Sequence, residues 1–259
     1  MLPTVSIFGR EVALYGLCIV CGALLAGLTA CRLGRRCALD REDIIYCGLY
    51  MAVGAIVGGK LAYIGARLPE VSALWQTAAS RTELIRALFR GGFLFFGGLF
   101  GGLFMGWRYC RRFGVDMHKM ACCVIPAAPL LHAWGRLGCF CAGCCYGIPW
   151  SGPLAVTNTC TPVGVNGVPL FPVQLLSVGL NLLLFAFMLR SPRLRWPAPA
   201  GRLAGFYLAV YSLARFGVEF LRGDHPGHVW QGLTWAQWFC LPAMACGLLL
   251  LYRSMKKTA

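Results

Sequence analysis

The stretch at residues 132–147 combines one arginine with four cysteines and several glycines. Arg136 stands directly after Gly135 and two positions before Gly138, and glycine allows the backbone to approach a ligand closely. A guanidinium group stays charged at physiological pH and can bind a phosphate or carboxylate through two parallel hydrogen bonds. The stretch therefore predicts a site for an anion around Arg136.

The four cysteines of this stretch allow other chemistry. They are Cys139, Cys141, Cys144 and Cys145. With His132 they offer soft ligands at spacings that zinc or copper(I) could accept, and Cys141-Ala-Gly-Cys144 is a dithiol spacing. A structural disulfide, within the group or to Cys160, is the simpler interpretation because no second cysteine and histidine cluster has an established spacing to this one. We therefore expect no bound metal.

A second set of polar residues lies in an apolar segment near the C-terminus. Tyr211, Arg215, Glu219 and Arg222 are spaced i, i+4, i+8 and i+11, which places them on one face of a helix. A charge at the centre of a bilayer costs about 2.5–3.5 kcal/mol, so this face is expected to contact protein or a wet cavity. A purely structural Arg215–Glu219 ion pair is the alternative, and it would leave the charge of Arg222 to be matched by another group.

The composition indicates that a membrane surrounds most of the chain. Of 259 residues, 58% are hydrophobic and 13% are charged, which is more apolar surface than one soluble core can bury. A hydrocarbon core of about 30 Å is crossed by roughly 20 apolar helical residues. Suitable segments lie at 12–31, 43–66, 92–108, 117–135, 172–189, 203–221 and 234–252. We predict an all-α integral membrane protein with about seven transmembrane helices, forming a single polytopic domain over residues 1–259.

The basic residues predict the orientation of these spans. A net charge of +15 would indicate nucleic-acid binding in a soluble protein, but here the basic residues cluster at the ends of spans, so no nucleic-acid partner is expected. Fifteen of the 24 lie in one alternating set of loops and seven in the other. The positive-inside rule then places the N-terminus outside and the C-terminus in the cytoplasm. Residues 136–171 are rich in proline and are predicted to form a small extracytoplasmic cap.

Several motifs along the chain resemble those of the prolipoprotein diacylglyceryl transferase family. The strongest matches are Tyr15-Gly16, Gly135-Arg136-Leu-Gly138-x-Phe140 and Tyr211-x-x-x-Arg215-Phe-x-x-Glu219-Phe-x-Arg222. Weaker matches are Gly58-Gly-Lys-Leu-Ala-Tyr63, Gly91-Gly-Phe-Leu-Phe-Phe-Gly97-Gly98 and Pro172-Val-Gln174. Together they cover essentially the whole chain, and their order agrees with the family's seven spans, outer N-terminus and outward-facing site.

The resemblance implies a reaction and a set of site residues. Members of the family transfer the diacylglyceryl group of phosphatidylglycerol to the thiol of a lipobox cysteine in a prolipoprotein, and release glycerol phosphate. The implied setting is the bacterial cytoplasmic membrane, with phosphatidylglycerol, prolipoprotein signal peptides and membrane lipid as partners and with no cofactor. Arg136 and Arg215 would be catalytic, because cations stabilise the charge that develops on the leaving phosphate. The implied substrate-binding residues are Tyr15, Gly97, Gly98, Gly138, Gln174, Tyr211, Glu219 and Arg222.

Departures from the family pattern leave part of the chemistry open. Phe96 stands where many members have a histidine that is a candidate general base, and a phenyl ring cannot accept a proton. Cys139 stands at a common asparagine position, and Ala142 and Cys144 stand where asparagine and glutamate are common. Either electrostatics alone activates the substrate thiol, or a local cysteine or tyrosine accepts its proton, or the chain is a diverged paralogue. Such a paralogue would be a thiol-redox or metal-binding protein, or a non-catalytic lipid-binding protein.

Overall fold

The structure is a computed structural model, and it describes residues 4–7, 9–70, 72, 80, 82, 92–157, 165–191, 199–224 and 230–256. Most of these residues are helical. The helices, numbered in chain order, are α1 (Leu14–Gly34), α2 (Arg41–Ala66), α3 (Phe95–Phe113), α4 (Met117–Val124), α5 (Ala128–Ala142), α6 (Val173–Arg190), α7 (Ala200–Glu219) and α8 (Trp235–Lys256).

Five helical segments among the described residues are long and apolar enough to cross a membrane. They are Leu14–Cys37, Arg41–Ala66, Met117–Ala142, Val173–Arg190 and Trp235–Lys256. This confirms the prediction of a membrane protein built mainly of helices. Helices α3 and α7 lie where the sequence predicts two further spans, but charged side chains lower the hydropathy of both. These are Arg108, Arg111 and Arg112 in α3, and Arg202, Arg215 and Glu219 in α7.

Two short antiparallel strand pairs correct the expectation of an entirely helical chain. Strand β1 (Thr4–Ile7) pairs with β2 (Arg10–Ala13), and β3 (Val156–Thr157) pairs with β4 (Pro169–Leu170). Gly9 lies between the first two strands with a φ of +75°, a conformation that glycine adopts without strain. The β-branched residues Thr4, Val5 and Ile7 favour a strand, but strands of two to four residues are too short to show a clear alternating pattern in the sequence.

The segment Met117–Ala142 is interrupted where prolines are present. Pro126 lies in a 3₁₀ turn, Ile125–Ala127, and Pro129 lies in the first turn of α5. Proline donates no backbone hydrogen bond and clashes with the preceding turn of an α-helix. The two prolines therefore account for the interruption between α4 and α5.

Helix α5 continues beyond residue 135, where the sequence analysis ends the fourth span and begins the cap. The helix includes Arg136 and ends at Ala142, so residues 136–142 of the predicted cap region are helical. Among residues 136–142, Gly138 alone is a poor helix former, and one glycine is tolerated in a packed helix. Gly143 ends the helix with a φ of +70°, as is typical of a C-terminal cap.

The described chain forms two compact units, of which one is Leu39–Met120. Its helices α2 and α3 pack antiparallel through glycines. A Cβ at Gly58 would collide with the carbonyl oxygen of Gly97, and one at Gly54 with the carbonyl oxygen of Gly101. Small residues let the two backbones approach closely, as is common between membrane helices.

The other unit contains Met1–Ala38 and Ala121–Ala259. Within it α1 packs on α5, α5 on α6, α6 on α7, and α7 on α8. The buried core includes Leu184 and Met188 of α6 with Leu203 of α7. This unit holds the arginines and cysteines that the sequence analysis identifies as candidates for chemistry.

Candidate active site

A cavity of about 370 Å³ lies beside α5, α6 and α7. Its charged and phenolic lining residues are Arg136, Tyr211 and Arg215. The rest of the lining is mainly apolar, and includes Leu180, Leu183, Leu184, Phe187, Phe206, Val210 and Val218. Cavities of this size hold small molecules or parts of larger ligands. Cationic groups among apolar walls suit a ligand that joins an anionic group to hydrocarbon.

Arg136 is the cation of this cavity that no carboxylate neutralises. Among the described residues, no Asp or Glu lies within ion-pair distance of its guanidinium group. Its electrostatic neighbours are Tyr211, Cys145, Cys139 and the like-charged Arg222. A half-buried cation without an anionic partner is costly, so the site favours an anionic ligand.

Glu219 neutralises the positive charge on α7. Its Oε2 forms an ion pair with Nη1 of Arg215 and accepts a 3.2 Å hydrogen bond from Nη1 of Arg222. The Glu219 side chain is only 3% exposed, so both contacts are largely shielded from water. Arg215, Glu219 and Arg222, which the sequence places on one face of a helix, therefore form a connected network that includes an Arg215–Glu219 ion pair.

Asp224 supplies a second negative charge to the network of Arg215, Glu219 and Arg222. Nε of Arg222 donates to Oδ1 of Asp224 over 2.9 Å, and its Nη2 donates to Oδ2 over 3.0 Å. This bidentate pair raises the pKa of Arg222 above its usual value, against the opposing effect of desolvation. Two arginines and two carboxylates balance within the network, and Arg136 is then the cation of the cavity lining that has no carboxylate partner among the described residues.

Thr234 is a residue of the network that the sequence analysis does not identify. Its hydroxyl donates a 3.0 Å hydrogen bond to Oε1 of Glu219. Its backbone N–H donates to Oε1 of Gln237, and its hydroxyl accepts from the backbone N–H of Gln237. Thr-x-x-Gln before a helix is a capping-box sequence, so this pattern could have indicated the start of α8 but not the contact with Glu219.

Tyr211 lies against a histidine from α5. The rings of His132 and Tyr211 are 5.0 Å apart, and Nδ1 of His132 forms a 2.7 Å hydrogen bond with the hydroxyl of Tyr207. Tyr207 also stacks on Tyr211 at 5.5 Å. These contacts hold Tyr211 at the cavity wall. His132 packs against Tyr211 and forms a hydrogen bond with Tyr207.

Tyr15 reaches the same region from α1. A Cβ at Gly138 would lie 3.0 Å from the Tyr15 ring and 3.3 Å from the Cβ of Cys18, so the glycine permits this close approach. The Tyr15 phenol interacts electrostatically with Arg136 and with the thiols of Cys139, Cys144 and Cys145. The Tyr15 side chain is 44% exposed, so it is open to a ligand.

Gln174 contacts the loop after α5. Its Nε2 donates a 2.9 Å hydrogen bond to the carbonyl oxygen of Cys144, and its side chain is buried. Pro172 precedes the first residue of α6, close to the helix start that the sequence predicts. Gln174 therefore positions the loop, and its contact with substrate stays a prediction.

Three of the four clustered cysteines converge. The Sγ atoms of Cys139, Cys144 and Cys145 all lie within 4.8 Å of one another. Cys141 does not join them, because residues two apart on a helix point in different directions, and its thiol lies beside that of Cys18 instead. The cluster that includes Cys144 is therefore completed by Cys139 and Cys145, and not by Cys141, its partner in the dithiol spacing.

The described cysteines are all free thiols, so no disulfide links the members of the cluster. Cys160, the other candidate partner, lies outside the described residues. The thiols of Cys139 and Cys144, together with the positive charges of Arg136 and Arg222, lower the pKa of the Cys145 thiol. Cationic neighbours favour a thiolate at this position.

A strip of backbone pairing holds Arg222 next to the thiols. The N–H of Ile148 donates to the carbonyl of Leu221 over 3.0 Å, and the N–H of Gly223 donates to the carbonyl of Tyr146 over 3.0 Å. A Cβ at Gly147 would collide with the carbonyl oxygen of Phe171, so only glycine allows this packing. The residue after Cys145 is thereby tied to the residues that flank Arg222.

Asn181 is a second polar residue that the sequence analysis misses. Its Nδ2 donates a 2.8 Å hydrogen bond to the carbonyl of Ser177, one turn earlier in α6. Its Oδ1 is buried without a hydrogen-bond partner among the described residues, and the residue lines the cavity. Asn181 is thus an available acceptor for a ligand hydroxyl, but a lone asparagine in an apolar helix carries no recognisable pattern.

Gly97 and Gly98 belong to the unit Leu39–Met120, and the structure places both against α2. A Cβ at Gly97 would collide with the Cβ of Ala62, and one at Gly98 would lie 3.2 Å from the carbonyl oxygen of Ala55 in α2 and 2.6 Å from the ring of Phe93, which precedes α3. Close helix packing thus accounts for both glycines, and their contact with substrate stays a prediction. Phe96 packs edge-on against Phe95, at 5.6 Å between ring centroids.

Comparisons with known proteins point to one family. A family model described as prolipoprotein diacylglyceryl transferase matches residues 3–253. The phosphatidylglycerol–prolipoprotein diacylglyceryl transferase of Clostridium tetani is 31% identical over 243 residues, covering 94% of this chain and 93% of that protein. The phosphatidylglycerol–prolipoprotein diacylglyceryl transferase 2 of Clostridium perfringens is 30% identical over 252 residues, covering 97% of this chain and 94% of that protein. These matches confirm the resemblance that the motifs indicate.

Proposed function

This chain belongs to the prolipoprotein diacylglyceryl transferase family, and on that basis we propose that it transfers the diacylglyceryl group of phosphatidylglycerol to a prolipoprotein. The acceptor is the thiol of the lipobox cysteine. The sulfur forms a bond to the terminal glycerol carbon of the diacylglyceryl group as that carbon's bond to the phosphate oxygen breaks. The products are a thioether-linked lipoprotein precursor and glycerol phosphate.

The proposal rests on the charge and position of Arg136. Its charge is not neutralised by a described carboxylate, and it lines a cavity whose other walls are mainly apolar. Phosphatidylglycerol combines one phosphate with two acyl chains, which are the complementary features. An arginine near the phosphate stabilises the leaving group most when negative charge develops on it.

Arg215 is the second cation for the phosphate. Glu219 forms an ion pair with it, and Thr234 and Arg222 contact the same carboxylate. These contacts hold the guanidinium group of Arg215 in one position. Preorganised cations need little rearrangement when charge develops in the transition state. Glu219 acts in this proposal as a positioning residue.

Several hydrogen-bonding groups complete the proposed lipid site. Tyr211 and Tyr15 donate to phosphate or glycerol oxygens, and Oδ1 of Asn181 accepts a hydrogen bond from a hydroxyl of the glycerol headgroup. The nucleophile comes from the prolipoprotein. A free thiol has a pKa of about 8.5, so only a small fraction is thiolate at neutral pH. A positively charged cavity lowers the pKa of the thiol and thereby raises this fraction.

The proposed topology has seven spans in the bacterial cytoplasmic membrane. The five apolar segments, together with α3 and α7, correspond to the seven spans that the sequence predicts. The excess of basic residues in one set of loops supports an external N-terminus and a cytoplasmic C-terminus. The loop after α5 then faces outward, where a secreted prolipoprotein presents its lipobox cysteine.

One assay tests the reaction directly. Membranes containing this protein, phosphatidylglycerol and a lipobox peptide are incubated and analysed by mass spectrometry for a diacylglyceryl thioether. We expect the thioether with the native chain, and a loss of at least about a hundredfold with Arg136→Ala, the scale at which removal of one transition-state donor is felt. Arg136→Lys keeps the charge but loses the bidentate geometry, so it should retain only part of the activity.

Arg253→Ala is the matched control, because Arg253 lies in the last turn of α8 and is not among the residues that line the cavity. It should leave the transfer unchanged. Lipid binding without any thioether from the native chain would instead identify a non-catalytic lipid-binding protein. Undiminished transfer by Arg136→Ala would remove the basis of the proposed mechanism.

A further inference from the structure

The converging thiols form a cluster that has no assigned role in the transfer mechanism proposed above. Cys139 lies in the last turn of α5, and Cys144 and Cys145 lie in the loop that follows. Their Sγ atoms lie within 4.8 Å of one another, although residues 139 and 144 belong to different elements. Zinc–sulfur bonds of about 2.3 Å require sulfur atoms roughly 4 Å apart, so small side-chain rotations would bring the three onto one ion.

The backbone around the thiols is held in place before any ligand binds. Gln174 donates to the carbonyl of Cys144, and the N–H of Cys144 donates to the carbonyl of Cys139 over 3.2 Å. Cys145 has a φ of +56°, a conformation that costs a residue other than glycine free energy and persists only when its surroundings enforce it. This conformation directs the third thiol toward the other two.

The charges near the cluster suit an anionic metal complex. Three thiolates and one divalent cation carry a net charge of −1, and the guanidinium groups of Arg136 and Arg222 both interact electrostatically with Cys145. No carboxylate or imidazole is among the three ligands, so the donors are all soft. Soft thiolates select d¹⁰ ions such as Zn²⁺ over Mg²⁺ or Ca²⁺.

We propose that Cys139, Cys144 and Cys145 bind one thiophilic d¹⁰ cation, such as Zn²⁺, through three thiolates. Each thiol loses its proton to water, so three metal–sulfur bonds form and three protons are released for each ion bound. The fourth position is open to water or another ligand. The proposal does not rest on the transferase reaction, because it concerns binding that is measured without lipid or peptide.

The test uses Cd²⁺ as the probe and the full-length chain in detergent, purified with a chelator and a reductant that are then removed. Sulfur-to-cadmium charge-transfer absorption reports the bound ion, and competition with Zn²⁺ gives the affinity for zinc. We expect one tight equivalent that zinc displaces. Cys139→Ser, Cys144→Ser and Cys145→Ser should each weaken it by at least about tenfold, since even the loss of an outer partner of a ligand costs this much.

Cys141→Ser is the matched control, because Cys141 lies between Cys139 and Cys144 in sequence while its thiol lies beside Cys18. Cys246→Ser controls for an exposed thiol elsewhere. Both variants should bind Cd²⁺ as the native chain does. Equal binding by the native chain and by the triple serine variant of the cluster would overturn the proposal.

A second measurement needs no substitution, so it does not depend on whether a variant folds. Zn²⁺ should protect these three cysteines, but not Cys246, from alkylation in the native chain, as read by peptide mass spectrometry. Alkylation that zinc does not slow would contradict the proposal. A disulfide among the three in protein freshly isolated without reductant would also overturn it, because a disulfide removes two of the ligands.

Discussion

The hydroxyl of Thr234 donates a 3.0 Å hydrogen bond to Oε1 of Glu219, whose other oxygen contacts both Arg215 and Arg222. The donor lies just before α8, while the acceptor is the last residue of α7. A buried carboxylate is costly unless each oxygen has a donor. Thr234 therefore completes the network that holds Arg215 at the cavity.

Thr234→Val should lower kcat/KM for transfer by roughly tenfold. A hydrogen bond to a charged group contributes about 1.5–3 kcal/mol, and only part of this free energy affects the position of Arg215, because Thr234 acts through Glu219. Thr234→Ser keeps the hydroxyl and should restore the native rate. Thr234→Asp separates this effect from capping, because Asp still caps a helix but cannot donate to Glu219 when ionised. Native activity in the Asp variant would show that only the cap matters.

Asn181→Leu should raise the KM for phosphatidylglycerol by about two- to tenfold, the range for one lost hydrogen bond between neutral groups. The kcat should change less, since the hydroxyl is distant from the bond that breaks. Thermal stability should not fall, because the substitution removes an unpaired buried acceptor. Leu180→Met, at an apolar position of the same cavity, is the control and should leave KM near native. An unchanged KM in Asn181→Leu would exclude Asn181 from headgroup binding.

Gly138→Ala should impair transfer and lower the melting temperature, because its Cβ would lie 3.0 Å from the Tyr15 ring and 3.3 Å from Cys18. Gly135→Ala is the matched control on the same helix, where the nearest atom is Ile19 Cδ1 at 3.6 Å. That control should be neutral or stabilising by about 0.5–1 kcal/mol, the usual gain from alanine in a helix. Equal behaviour of the two variants in activity and melting assays would argue against a role for the Tyr15 contact.

Gly97→Ala should destabilise the unit Leu39–Met120, because the added Cβ would collide with Ala62 and with the carbonyl of Gly58. Overpacking of this kind costs about 1–3 kcal/mol. Gly65→Ala in α2, where a Cβ would meet nothing within 4 Å, should be tolerated. The measurement is thermal unfolding in detergent alongside transfer activity. A Gly97→Ala variant with native melting but no transfer would assign the glycine to substrate binding instead.

Local patterns explain why much of the helical framework could be predicted. Apolar segments of sufficient length coincide with the described helices, and proline at positions 126 and 129 marks the interruption before α5. The end of α5 at Ala142 differs from the prediction, because glycines disfavour a helix in the sequence. Packing of Gly138 against α1 stabilises the helix in the structure. The short strands have no clear signal in the sequence, because segments of two to four residues cannot establish an alternating pattern.

Spacing along the chain is enough to predict that Tyr211, Arg215 and Glu219 share one face of a helix, and that Arg136 is a cation set among glycines. Which charges are neutralised and which thiols meet depends instead on tertiary contacts. Glu219 and Thr234 are 15 residues apart, Cys144 and Gln174 are 30 apart, and His132 and Tyr207 are 75 apart. Contacts at such separations depend on how helices and loops pack, which helical periodicity does not specify.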